Sequence, residues 1–337
     1  MTQKLLTALP AKAFTAMLAI LLCAGGLRAQ DPEFTQFYAA PIYTNPAFAG
    51  TAACGGRVVL NYRMQWPSLP GTFRTFAGSY DQHFDQIGGG IGIMAMQDVA
   101  GDGLLKTTAL SGIYSYQINV SRKFTMRAAI QATFQQRAVD FNRLRWADQI
   151  VARRGFVNPT AENFPSESVS YPNFGAGVIG YTKNFFAGVA VHNLNEPNQS
   201  FYGNSDPGTT VPRRFTIHSG LVIPIGPVKR GSDPDMTISP NILFMMQEKF
   251  MQVNMGFYIN KGPLVAGLWF RQTAPNSDAM MALIGFRHNQ FKFGYSYDIT
   301  VSSARAAAAG SHEISTAIEW CSKKPNKRYR KLTCPDF

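Results

Sequence analysis

Past residue 29 the chain lacks any apolar run of the roughly 20 residues that a membrane-spanning helix requires, so helices have no part in crossing a bilayer. Charge is scarce: Asp, Glu, Lys and Arg make up 15% of the residues. So is cysteine, with 4 residues among 337, no CxxC pair and no mixed His/Cys cluster suited to zinc or redox chemistry. His83, His192, His218, His288 and His312 are scattered at spacings that fix no metal. A GxSxG elbow is absent and nothing else names a nucleophile, so the sequence predicts neither an enzyme nor a cofactor. Two stretches imitate known sites without completing them. QDVAGDG, over 97–103, lacks the further acidic ligands of a calcium loop and reads as a hairpin turn. GGGIG, over 88–92, precedes a strand and not the helix that a phosphate cradle needs; glycines there permit a bend or close packing.

What the chain has in quantity is a two-residue rhythm. Val58, Leu60, Tyr62, Met64 and Trp66 alternate with Val59, Asn61, Arg63 and Gln65, giving one apolar and one wetter face. Strands are predicted near 57–66, 72–84, 88–98, 104–119, 122–138, 169–182, 184–193, 213–223, 235–247, 249–260, 263–273, 278–288, 290–299 and 311–321. Aromatics at 12% and 30 glycines suit a wall with lipid outside and water inside. The expected fold is therefore all-β: a transmembrane antiparallel β-barrel of about 14 strands over 57–321, in preference to a soluble sandwich. Met251, Val253, Met255, Phe257 and Ile259, with Phe291, Phe293, Tyr295 and Tyr297, should touch lipid. Residues 264–270 and 279–286 are apolar on both faces, which predicts a lumen that is partly filled.

Residues 1–29 read as a secretory signal peptide cut after Ala29, with cleavage before Cys23 as the competing lipoprotein reading. Residues 30–56 are punctuated by Pro32, Pro41 and Pro46 and carry Phe34, Phe37, Tyr38, Tyr43 and Phe48, a segment that plugs or lines the barrel. An even strand count puts both ends of the chain on one side, the periplasmic side in outer-membrane barrels. The long connections 139–168, 194–212 and 300–310 then face outward, and one long connection, 224–234, falls on the terminal side and leaves room for a missed strand. Net charge is +12, and a good part of it sits beyond the last strand, in Lys323, Lys324, Lys327, Arg328, Arg330 and Lys331 of a short basic periplasmic extension over 322–337. For an exported protein such a cluster suits an acidic protein face or lipid head groups and not nucleic acid. Cys321 and Cys334 bracket the tail as a disulfide candidate worth about 3 kcal/mol, although Cys54 can pair with either.

Six stretches carry a resemblance: DPEFTQFYAAPIYTNPAFAG (31–50), NYRMQWP (61–67), GGGIGIMAMQD (88–98), YDIT (297–300), GSHEIS (310–315) and the terminal CPDF (334–337). Together they resemble the PorP/SprF family of type IX secretion system membrane proteins. The resemblance implies a non-enzymatic outer-membrane barrel that assists the export or surface attachment of cargo bearing a C-terminal sorting domain, some of it related to gliding. The partners it implies are ring and lipoprotein components of the machine, a secreted surface protein, or both. The basic tail and the aromatic N-terminal segment are the expected periplasmic docking elements. Outside, Arg143, Arg145, Trp146, Arg153 and Arg154, with Phe201 and Tyr202, are the candidate cargo contacts, being residue types enriched at interface hot spots. The alternative is a FadL-like outer-membrane transport barrel for small apolar solutes, which shares the architecture but has no need of a basic tail.

Overall fold

The computed structural model describes residues 31–52, 55–69, 71–101, 103–151, 153–162, 166–203, 207–226, 234–274, 277–301 and 310–321, and Pro32–Phe337 form the compact unit to which the following applies. The expected signal peptide, Cys54, Cys334 and the basic tail lie outside the described residues, as does the side chain of Cys321.

Fourteen wall strands follow one another up and down: β1 Gly55–Gln65, β2 Phe73–Phe84, β3 Gly89–Ala100, β4 Leu105–Asn119, β5 Thr125–Val139, β6 Ser168–Tyr181, β7 Phe185–His192, β8 Arg214–Leu221, β9 Met236–Gln247, β10 Phe250–Lys261, β11 Leu264–Thr273, β12 Ser277–His288, β13 Phe291–Thr300 and β14 Ser311–Cys321. Each boundary lies within three residues of its expected place. Every strand pairs antiparallel with its sequence neighbours, and β1 closes on β14 in a register running from Gly55 opposite Cys321 to Gln65 opposite Ser311. Closure of β1 on β14 removes the two free edges an open sheet would expose to hydrocarbon.

The 224–234 connection adds no stave to the wall. A short strand, Ile223–Ile225, pairs with β9 in the register β8 already uses: Gly220 opposes Asn241, and Ile223 opposes Ile238. That register sets Leu221 against Pro240, which has no N–H to offer the ladder, so the pairing is interrupted there. On the other side the β7–β8 register runs on past Leu221 opposite Phe185, the Val222 N–H donating to the Asn184 carbonyl at 2.8 Å.

The two faces of the wall differ as the alternation requires. In β1, Val59 is 2% exposed and Leu60 57%. Leu60, Ile93, Leu110, Ile130, Phe134, Ile217, Met255, Leu268, Ile284 and Phe293 are among the large apolar side chains exposed on the outer face. Arg57, Asn61, Arg63, Ser115, Arg127, Asn254, Arg271 and Glu313 are buried on the inner one. About eight strands are needed before wall side chains alone just fill a barrel, so fourteen leave space. Residues 32–52 take it up: Phe34, Gln36, Phe37, Tyr38, Ile42, Asn45, Ala47, Phe48 and Ala49 are all buried. Prolines keep this stretch out of any ladder. Pro41 opens a single helical turn, Pro41–Thr44, and Pro46 opens a 3₁₀ turn, Pro46–Phe48, capped by the Asn45 side chain accepting the Ala47 N–H at 2.9 Å.

The path of this segment corrects one expectation. Gly55 and Cys321, the two ends of the wall sequence, do lie side by side, and this is the terminal end of the barrel. Thr35 and Gln36, however, bond to residues of β1, β13 and β14 near the opposite, loop-bearing end. Ala49 and Gly50 bond to residues of β2, β4 and β5 near the terminal end. The chain thus runs the length of the lumen, from loop end to terminal end, before β1 begins. The aromatics Phe34, Phe37, Tyr38 and Phe48, expected as a docking surface, are consumed in this path, since a narrow segment in a wide lumen buries its largest side chains first.

Candidate functional site: the occupied lumen

At the loop end two carboxylates receive the segment, one taking its main chain and the other a side chain. Glu313 on β14 accepts the N–H groups of Thr35 at 2.5 Å and Gln36 at 3.1 Å, and its own carbonyl accepts the Gln36 side-chain amide at 3.0 Å. Asp298 on β13 accepts the Thr35 hydroxyl at 2.7 Å. Arg63 on β1 bridges the two acids, 3.2 Å from Asp298 and 3.5 Å from Glu313, and also donates to the Thr35 hydroxyl. Arg271 on β11 reaches Asp298 at 3.4 Å and Glu33 at 3.8 Å. The side chains of Arg63, Asp298 and Glu313 are 4%, 3% and 0% exposed, so this is a dry ion network. Charges so placed are stable only while their partners remain, and removing one partner of a buried pair costs about 3–5 kcal/mol.

At the terminal end the polarity is mostly reversed, and carbonyls are held. Arg127 on β5 and Ser115 on β4 donate to the Ala49 carbonyl at 2.8 and 2.6 Å, and Arg57 on β1 reaches the Phe48 carbonyl at 3.5 Å. Asp81 on β2 pairs with Arg57 at 2.9 Å and accepts the Gly50 N–H at 2.8 Å. The backbones nearly touch here: a Cβ on Gly90 would lie 2.3 Å from the Ala49 oxygen. This is the close approach that explains a glycine-rich start to β3.

Between the clamps the contact is apolar and aromatic. Phe37 meets Trp269 edge-on at 5.4 Å, Tyr38 meets Phe186 at 5.5 Å, and Phe48 stacks on His218 at 5.1 Å. Val265, Trp269 and Met281, from the stretches apolar on both faces, belong to this cluster. The Asn45 amide spans the change from apolar to polar, donating to the carbonyls of Val178 and Val189, each at 3.2 Å, and lying 3.0 Å from His218 Nε2.

Sequence reasoning placed Arg63 on the wetter face of its strand without seeing that it converges with Asp298 and Glu313. A signal was present: Thr35 and Gln36, Arg63, Asp298, and Glu313 with Ser315 come from four of the six stretches that carry the family resemblance, 31–50, 61–67, 297–300 and 310–315.

The outward candidates lie on two connections at the loop end. Arg143 closes a 3₁₀ turn, Phe141–Arg143, and Trp146 begins the next, its N–H bonded to Gln149 Oε1 at 2.9 Å. Arg145 lies 5.3 Å over the Phe156 ring. Arg153, with φ of +64°, and Arg154 turn the small hairpin between Ile150–Val151 and Gly155–Phe156. The connections touch where Phe141 meets Phe201 at 6.0 Å, leaving Tyr202 57% exposed. Asp148 ties the first one together by accepting the Ala161 N–H at 2.6 Å and the Thr160 hydroxyl at 2.9 Å, and these bonds, the former foremost, hold its carboxyl below the usual range. Among the described residues no three His, Cys, Asp or Glu side chains gather as metal ligands.

A sequence profile described as "Type IX secretion system membrane protein PorP/SprF" matches residues 27–318. Comparison with curated proteins gives no match. Among solved structures, similarity extends to the Pseudomonas putida toluene transporter TodX, at 7% identity and TM-score 0.48, over 83% of this chain and 94% of that one. The outer membrane protein Omp33 of Acinetobacter baumannii matches at 8% and 0.44, over 79% and 99%. A Pseudomonas aeruginosa FadL homologue matches at 13% and 0.43, over 83% and 94%.

Proposed function

The chain belongs to the PorP/SprF family of type IX secretion system membrane proteins, and from that premise we propose that it works by contact and not by conduction. It is an outer-membrane barrel, a closed antiparallel wall with an apolar outer face. In this reading it assists the export or surface attachment of cargo with a C-terminal sorting domain, and it catalyses nothing. The observation that carries the reading is the occupied lumen: residues 32–52 are held at both ends and buried between, along the path a solute would take. Function then falls to what projects from the wall.

The terminal end faces the periplasm, where Lys323, Lys324, Lys327, Arg328, Arg330 and Lys331 attract acidic faces of ring or lipoprotein components, an attraction that weakens as salt screens it. On the cell surface, Arg143, Arg145, Trp146, Arg153, Arg154, Phe201 and Tyr202 meet the cargo as a set. The test is a mild-detergent pull-down of the tagged protein from its own outer membrane, alongside a variant lacking residues 323–337. Ring components lost with the tail support docking there, and a single sorting-domain protein retained without the tail supports a dedicated anchor. Neither partner, together with steady conductance in a planar bilayer, overturns the reading in favour of transport of small apolar solutes.

A further inference from the structure

The segment does not fill the lumen evenly. On the terminal side of the Glu313 clamp the inward positions of β12, β13 and β14 are small: Gly285, Gly294 and Ser315 lie side by side, with Ala317 one inward position further along β14. Opposite them the segment lines the space with Gln36, Tyr38, Ala39 and Pro41. A cavity of about 80 Å³ remains, with Val59, Tyr258, Val265 and Leu283 as its apolar lining. Since a water needs roughly 10–15 Å³ on this measure, the space holds about half a dozen water-sized groups.

Its charges do not cancel. Arg57 is paired with Asp81, and Lys292 with Glu319 at 2.9 Å. Arg287, also in the lining, donates to the Asn260 amide oxygen at 3.3 Å and has no carboxylate partner among the described residues. A guanidinium offers five N–H donors in a planar fork that matches a carboxylate, and one amide oxygen uses little of it. The cavity thus combines an apolar body, a size of a few carbons and one unneutralised cation at the end facing the periplasm.

We infer that this cavity binds a small apolar monocarboxylate, its carboxylate on Arg287 and its hydrocarbon against Val59, Val265 and Leu283. Lys292, with its charge balanced by Glu319, adds a second donor without a second net charge. The site is independent of partner docking, since it needs neither the basic tail nor the outward loops.

Hexanoate is the probe, titrated by calorimetry into the full chain in lipid nanodiscs, with empty discs as blank and hexan-1-ol and hexylammonium as controls. Saturable hexanoate binding that neither control reproduces is expected. Arg287→Gln should weaken it about ten- to a hundredfold, the usual worth of a hydrogen bond to a charged group. Ala317→Leu, which fills the cavity and leaves the charge, should abolish it, and retained heat-modifiable migration on gels shows that each variant is folded. Absence of saturable binding, equal binding of hexan-1-ol, or Arg287→Gln binding like the wild type would each overturn the inference.

Discussion

The two ends of the lumen grip the same segment with opposite chemistry. At the loop end one carboxylate, that of Glu313, takes two backbone N–H groups, those of Thr35 and Gln36. At the terminal end arginines and a serine take backbone carbonyls, those of Phe48 and Ala49, with Gly50 to Asp81 as the one exception. Apolar packing between them, such as Phe37 on Trp269, is indifferent to chain direction. The clamps are not, because a reversed chain would present different groups to each. Burial thus holds the segment in the lumen, and the paired polar ends determine which way it runs.

The sharpest way to break this division is at Glu313, where Glu313→Ala removes the acceptor for two backbone N–H groups and a partner of Arg63 together. A loss of about 3–5 kcal/mol in local stability is expected. Hydrogen exchange should accelerate at Thr35 and Gln36 while Gly50, on Asp81, stays protected; equal acceleration at both ends would show that the clamps are one cooperative unit. Arg127→Met is the counterpart. It should cost less, about 1–3 kcal/mol, since Ser115 still donates to the Ala49 carbonyl, and it should loosen the terminal end alone. Gly90→Val probes the same end by crowding and not by lost bonding. With a Cβ due within 2.3 Å of the Ala49 oxygen, about 1–3 kcal/mol of strain is expected, seen as a lower melting temperature with Glu313 contacts intact.

The smallest effect belongs outside the lumen, at Asp148. A carboxyl with a depressed pKa contributes stability above its unfolded value and loses it as pH falls through the folded one. The first outward loop should therefore keep one conformation from about pH 8 to 5 and loosen below about pH 4. Trp146, two residues away, is the reporter, and Asp148→Asn should remove the acid transition from its fluorescence.

The wall was legible in the sequence because strand alternation is a local signal: Met251 to Asn260 reads the same in the chain as in β10. The occupied lumen was half legible. Prolines excluded 30–56 from the wall, and 264–270 and 279–286 advertised an inward face that wanted apolar company. Direction was not legible, because it is set by pairs such as Thr35 with Glu313, 278 residues apart, which no local pattern encodes. The interruption opposite Pro240 was hidden for a similar reason: it takes the register to show that Leu221, paired with Phe185 on β7, is the residue left without a partner on β9.

That separation also sets an order of assembly. Glu313 lies on the last wall strand, so Thr35 and Gln36 have no carboxylate for their N–H groups until the closing stave is in place. Loop closure over such a distance is slow, and it comes late. A chain cut short before β14 would leave its N-terminal stretch, rich in aromatics, loose and visible to periplasmic proteases. The segment that precedes the wall thereby becomes the inspector of the strand that completes it.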